Sequence, residues 1–149
     1  MNFAIIGASG NVGRKTIKIL ENSKIPFQEL FLVASEKSRG KKIKFREKEI
    51  LIENLKDYDF SKAQITFFAA GSQIAKEWAP KAAEETIVID NSSYFRMQKD
   101  VPLVVPEVNT EDLNKHKNII SNPNCSTIQM VLALKPLHDE YKINRVVVS

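Results

Sequence analysis

Three short stretches of this 149-residue chain combine residue types at spacings that could do chemistry. One is Ser121-Asn122-Pro123-Asn124-Cys125-Ser126-Thr127-Ile128-Gln129, which holds the only cysteine. Ile119 and Ile120 read as the end of a buried strand, Asn122-Pro123-Asn124 as a turn, and Ser126 onward as a helix. Cys125 then begins a helix, where unpaired N–H groups and the positive end of the helix dipole favour a thiolate and can stabilise an oxyanion beside the sulfur. A lone cysteine is also a small hydrophobe that often sits in a core. The turn-then-helix setting argues for a covalent nucleophile.

The second stretch is Gly7-Ala8-Ser9-Gly10-Asn11-Val12-Gly13, which directly follows the apolar residues 2–6. A strand, a glycine-rich turn and a helix in that order let backbone approach a pyrophosphate closely, and the helix N-terminus supplies N–H donors to it. Gly7, Ser9, Gly10, Asn11, Val12 and Gly13 are the candidate contacts. The spacing is GxxGxxG, a variant of the GxGxxG pattern, and a tight turn packed with small residues is the alternative reading. The third stretch is Asp90-Asn91-Ser92-Ser93-Tyr94-Phe95-Arg96. It follows an apolar strand, and Arg96 brings a planar fork suited to a carboxylate or phosphate oxyanion.

These groups need elements to position them. Residues 2–6, 30–34, 64–69 and 86–90 read as buried strands, with residues 145–149 starting one more. A helix through about Glu21 should carry Val12, Thr16, Ile19 and Leu20 on its packed face. Residues 42–45 and 50–52 alternate polar and apolar around Arg46-Glu47-Lys48-Glu49, the pattern of a structural β-hairpin at a sheet edge. A second helix carries Ile74, Trp78, Ala82 and Ala83, with Pro80 as a kink and Trp78 read as core. Residues 101–105 run extended into Pro106-Glu107-Val108-Asn109, expected as a loop along the site's edge. The helix after Cys125 shows Ile128, Val131, Leu132 and Leu134 on one face, and Pro136 should kink or end it. Strands alternating with helices predict an α/β, Rossmann-like, doubly wound fold, its sheet mostly parallel with helices on both faces. A buried-looking strand at residues 145–149 leads us to expect a piece of a longer protein.

In such a fold, ligands bind at the carboxyl ends of strands, at Gly71 and Ser72 after residues 64–69 among other places. After the second strand comes Ser35-Glu36-Lys37-Ser38-Arg39-Gly40. Ser35, Lys37, Ser38 and Arg39 suit the 2′-phosphate of NADP, whereas Glu36 suits a free 2′-hydroxyl and Arg39 reads equally well as a solvated charge.

Composition narrows the function further. Hydrophobic residues make up 43%, enough for a real core in about one domain. The 22 Lys and Arg against 18 Asp and Glu give +4, an excess that suits anionic small molecules. The basic residues are spread out apart from a concentration at Lys37 to Lys48, with no aromatic interleaving, which argues against nucleic acid. Residues 1–7 lack a basic leader and stop at glycine, so neither a signal peptide nor a membrane span is expected; a cytoplasmic location is. The two histidines and one cysteine are too scattered for a metal site. His138 would lie about 20 Å from Cys125 along a continuous helix, and His116 at the opposite end of a strand. Neither can be the proton-transfer partner, which must come from elsewhere. A nicotinamide site, a cysteine and an oxyanion-binding arginine together suit one chemistry: addition of the thiolate to an aldehyde, hydride transfer, and release of the thioester.

At this point the residues resemble a known family, aspartate-semialdehyde dehydrogenase. The glycine turn is similar to its cofactor loop and Ser35-Glu36-Lys37-Ser38 to its 2′-phosphate loop. Asp90 to Arg96, Val104-Val105-Pro106-Glu107-Val108-Asn109 and Asn122 to Gln129 resemble its remaining signatures, in order. The resemblance covers the whole chain. It implies reduction of L-aspartyl 4-phosphate to L-aspartate 4-semialdehyde with NADPH, on the route to lysine, threonine, methionine and diaminopimelate. Cys125 would form the acyl thioester, Arg96 would bind phosphate and Asn124 would orient the substrate. Residues 1–149 would be the NADP-binding domain, while the active-site glutamine, a carboxylate-binding arginine, the acid/base histidine and a larger dimerisation domain would lie outside it, in a homodimeric parent. These 149 residues alone would then be inactive. N-acetyl-γ-glutamyl-phosphate reductase shares the chemistry but fits Pro123-Asn124-Cys125-Ser126-Thr127 less well, and a nucleotide-binding module without turnover is the non-enzymatic alternative.

Overall fold

Phe3, Ala4, Ile5 and Ile6 are all buried, the pattern of a strand covered on both faces. In the computed structural model, which describes residues 1–148, they form β1 at the centre of a seven-stranded sheet. The strands are β1 (Phe3–Ile6), β2 (Leu30–Ala34), β3 (Lys42–Phe45), β4 (Lys48–Asn54), β5 (Ile65–Phe68), β6 (Ile87–Asp90) and β7 (Ile119–Ser121). Their spatial order is β3-β4-β2-β1-β5-β6-β7, and every pair is parallel except the β3–β4 hairpin. The helices are α1 (Asn11–Asn22), α2 (Ser72–Ala82), the single-turn α3 (Pro106–Asn109) and α4 (Cys125–Tyr141). Side chains of β1 alternate between two cores. Phe3 and Ile5 pack with Ile17 and Leu20 of α1, while Ala4 and Ile6 pack with Ala75, Ala79 and Ala82 of α2. The sheet is thus Rossmann-like and doubly wound, with helices on both faces.

The chain passes from β1 to β2 on one side and resumes at β5 on the other, which makes the β1–β5 boundary the topological switch point. Register completes the arrangement. Ile6 pairs with Val33 and Phe68, Phe68 with Asp90, and Asp90 with Ser121. One row across the sheet therefore ends β1, β5, β6 and β7 at the same level, with β2 one residue longer, and the loops with chemical potential all emerge just beyond it.

Several expectations change. The buried face of α1 is Gly13, Ile17 and Leu20, while Val12 and Ile19 are 52% and 60% exposed. Gly13 decides this rotation: a Cβ there would lie 2.2 Å from the Gly7 carbonyl oxygen, so the helix start can seat against the turn only through a glycine. Residues 106–109 form α3 rather than a loop, since Pro106 occupies a first-turn position where its missing N–H costs nothing. Pro136 does not end α4, which runs on to Tyr141. That helix buries none of its residues; Ile128, Val131 and Leu134 are half-buried and Leu132 is exposed. Residues 145–148 form no strand, because no described strand lies alongside to complete a ladder, and Ser149 lies outside the described residues.

Candidate active site

A cleft of about 720 Å³ opens over the carboxyl ends of β4, β2, β1 and β5, within the range of a small-ligand site. Its floor is the glycine turn. Gly7 has φ +87°, a conformation that favours glycine, and a Cβ there would sit 2.7 Å from the Ala69 carbonyl oxygen. Gly10 is the N-cap of α1 and lines the cleft, and no side chain caps this helix start. Unpaired first-turn N–H groups beside an open cleft suit a pyrophosphate, so the residues present fit the diphosphate of a dinucleotide.

Of the residues chosen from the sequence, Gly7, Ser9, Gly10, Ser35 and Lys37 line this cleft. Asn11 and Val12 are exposed in the first turn of α1, and Gly13 is buried beneath it. Ser38 is buried as well, its hydroxyl donating to Ser9 Oγ at 3.1 Å, which ties the loop after β2 to the glycine turn. Gly71 (φ +85°) and Ser72 start α2 beside the cleft's β5 wall, with Ser72 Oγ 2.8 Å from Ser93 Oγ. Six further residues that the sequence does not single out as site residues line the cleft: Asn54, Leu55 and Lys56 after β4, and Ile74, Glu77 and Trp78 on α2, of which Ile74 and Trp78 read there only as the packed face of that helix. Trp78 is half-buried against the core and lines the cleft at once. The hairpin reading hid Asn54 to Lys56, because β4 pairs not only with β3 but also in parallel with β2.

Beyond β5 the same edge carries a hydrogen-bonded cluster. Asp90 is fully buried and accepts from the Ser92 N–H at 3.1 Å and the Ser92 hydroxyl at 2.7 Å. Burial pushes its carboxyl above the usual range, while the Ser92 hydrogen bonds and the Arg96 charge pull the other way. Arg96 donates from Nε to the Asn122 carbonyl at 3.1 Å and from Nη2 to the Asn91 carbonyl at 3.0 Å. Asn122 Nδ2 donates to Asn91 Oδ1 at 2.8 Å. Arg96 is therefore fastened to the turn that precedes Cys125.

Cys125 is exposed in the first turn of α4. Asn124 is the N-cap: its Oδ1 accepts from the Thr127 N–H at 2.8 Å and the Ser126 hydroxyl at 3.0 Å. Among the described residues the Cys125 and Ser126 N–H groups have no hydrogen-bond partner, as an oxyanion site requires. β7 lies two strands from β5, roughly 10 Å across the sheet, so the cleft and the thiol share one edge. His116 precedes β7 at the sheet's other end, where Nδ1 accepts from the Asn118 N–H, and His138 lies far along α4. Neither joins Cys125.

Residues 2–116, which carry the glycine turn and the strands beneath the cleft, match a known family model, "Semialdehyde dehydrogenase, NAD binding domain". The chain belongs to this family. It is a nicotinamide-dinucleotide-binding domain, and its relatives agree. It is 55% identical over 150 residues to an aspartate-semialdehyde dehydrogenase of Aquifex aeolicus, covering 98% of this chain and 44% of that protein. It superposes on the crystal structure of Vibrio cholerae aspartate semialdehyde dehydrogenase II complexed with ASA with a TM-score of 0.91, at 48% identity over 93% of this chain and 46% of that one. The Candida albicans enzyme, solved with NADP, gives a TM-score of 0.78 at 27% identity, covering 95% and 48%. The chain thus spans under half the length of these relatives. Among the described residues of this semialdehyde dehydrogenase domain, no helix is long and apolar enough to cross a membrane.

Proposed function

We propose that this chain is the NADP-binding portion of a cytoplasmic, homodimeric aspartate-semialdehyde dehydrogenase that reduces L-aspartyl 4-phosphate to L-aspartate 4-semialdehyde. The observation that carries the reading is the exposed Cys125 at the start of α4, with Arg96 fastened to the turn before it and the dinucleotide cleft on the same edge. Gly7, Ser9, Gly10, Asn11, Val12 and Gly13 form the pyrophosphate turn. Ser35, Lys37 and Ser38 serve the 2′-phosphate, and Gly71 and Ser72 flank the nicotinamide half.

Cys125 Sγ attacks the acyl-phosphate carbonyl carbon, the bond to the phosphate oxygen breaks with its electron pair, and a thioester remains on the sulfur. The Cys125 and Ser126 N–H groups receive the developing oxyanion. Arg96, with Nε and Nη2 committed to carbonyls, turns its remaining Nη1 to the phosphate. Asn124 has its Oδ1 committed to the cap, so its amide NH₂ is what orients the substrate. When bound, the reduced nicotinamide supplies the hydride that takes the thioester carbon to the aldehyde level. The carbon–sulfur bond then breaks and Cys125 leaves as the thiolate. The placement of His116 and His138 supports an acid/base group from outside these residues, and so an inactive isolated domain.

The test is the full-length enzyme assayed with aspartate semialdehyde, phosphate and NADP⁺. Cys125→Ser should reduce kcat by at least about 10³-fold, given the weak nucleophilicity of a hydroxyl lacking its own base. It should also abolish the acyl adduct seen by mass spectrometry. Residual turnover within tenfold of wild type would refute the role of Cys125, and turnover with N-acetyl-glutamyl semialdehyde instead would reassign the substrate.

A further inference from the structure

Charges around the 2′-phosphate end of the cleft are sorted by the loops after β2 and β4. Arg39 Nη1 lies 3.6 Å from Glu36 Oε1 and 3.7 Å from Asp57 Oδ2, so it bridges a carboxylate on each loop. The turn Leu55–Asp57 is set by its N-cap Asn54. Its Oδ1 accepts from the Lys56 N–H at 3.4 Å, and its Nδ2 donates to Asp57 Oδ2 at 3.2 Å. Asp57 is thereby held towards Arg39, and its neighbour Lys56 lines the cleft. Lys37 lines it from the loop after β2. Among the described residues neither lysine pairs with a carboxylate. The other charged groups lining the cleft are Glu36, engaged by Arg39, and Glu77 on the α2 wall.

A ribose 2′-phosphate carries a charge of roughly −1.5 to −2 at neutral pH, more than a single ammonium offsets. We propose that Lys56 is a second specificity-determining residue for NADP, closing on the 2′-phosphate from the β4 side opposite Lys37. Arg39 serves only to neutralise Glu36 and Asp57. This rests on the NADP reading above, and it answers the objection that Glu36 raises: the carboxylate that would favour NAD is held by Arg39.

Trp78 is the only tryptophan and lines the cleft, so its fluorescence reports nucleotide binding to this chain. NADP⁺ and NAD⁺ are titrated against wild type, Lys56→Gln, Lys37→Gln and Arg39→Gln, with thermal melts confirming that these exposed substitutions leave folding intact. Lys56→Gln should weaken NADP⁺ roughly tenfold, the loss of one charge-assisted hydrogen bond, and leave NAD⁺ within twofold. Lys37→Gln should do the same, whereas Arg39→Gln, which frees Glu36, should weaken NADP⁺ and strengthen NAD⁺ by no more than about threefold each, and adding Glu36→Gln to it should restore both to wild-type affinity. Adenosine 2′-phosphate should follow NADP⁺ in its dependence on Lys56, whereas adenosine 5′-phosphate should not. Equal weakening of NAD⁺ and NADP⁺ by Lys56→Gln, no effect on either, or a tenfold loss of NADP⁺ affinity in Arg39→Gln that Glu36→Gln does not restore overturns the assignment. A wild-type chain that prefers NAD⁺, or binds neither nucleotide, overturns the NADP reading itself and this inference with it.

Discussion

Asp90 is the one carboxylate of the site held entirely out of water, and its two hydrogen bonds come from Ser92 alone. With its carboxyl raised above the usual range by burial, it binds a proton more tightly folded than unfolded. Its contribution to stability is full below the ordinary carboxylate range and is lost as pH rises through the folded value. Asp90→Asn cannot ionise, so the urea midpoint of the wild type should fall relative to this variant from about pH 4 upwards. Parallel midpoints from pH 4 to 7 would show that burial does not dominate at Asp90. Gly13 is constrained by space instead. Gly13→Ala places a Cβ against the Gly7 backbone, which cannot yield as a side chain can. It should cost about 1–3 kcal/mol in denaturant unfolding and weaken NADP⁺ binding as the turn is displaced.

At the scale of elements, α4 shows how a helix that buries no residue can still be held at its start. Its first turn is fixed by the Asn124 cap, and the turn before it by Arg96 and Asn91 through Asn122. Asn124→Ala should lower stability by about 1 kcal/mol in urea titrations, and Asn124→Ser should restore most of it. If the cap also aims the nucleophile, Asn124→Ser in the full-length enzyme should still lose kcat, because serine has no amide to offer the substrate. The β3–β4 hairpin shows the opposite relation between appearance and role. Its alternating residues mark an edge, yet its second strand pairs inward with β2 and delivers Asn54, Leu55 and Lys56 to the cleft.

For the whole molecule, the cleft joins loops from four strands, so a nucleotide in it links β1, β2, β4 and β5 in the folded state only. NADP⁺ at a hundredfold excess over its Kd should stabilise the chain by about 2.7 kcal/mol, read as a rise in Tm. NAD⁺ at the same concentration should give a smaller rise. Equal shifts would mean that the loops after β2 and β4 do not read the 2′-phosphate.

Much of this was legible in the sequence because the signals were local. An apolar run ending in Gly7, a turn-then-helix around Cys125 and a strand followed by Arg96 each depend on neighbours a few residues away, and each element formed where its pattern indicated. Their assembly on one edge also follows from the alternation of strands and helices, since parallel strands send all their carboxyl ends the same way. What only the tertiary structure decided depends on partners distant in the chain. Gly13 turned α1 so that Ile17, not Val12 or Ile19, faces the sheet, because the clash it avoids is with the turn folded beneath it. Residues 145–148 carry a strand-like pattern but have no described neighbour to pair with, and pattern alone makes no hydrogen bonds. The sorting of charges that sets Lys37 and Lys56 on the cleft and Arg39 on Glu36 and Asp57 required two loops some twenty residues apart to meet.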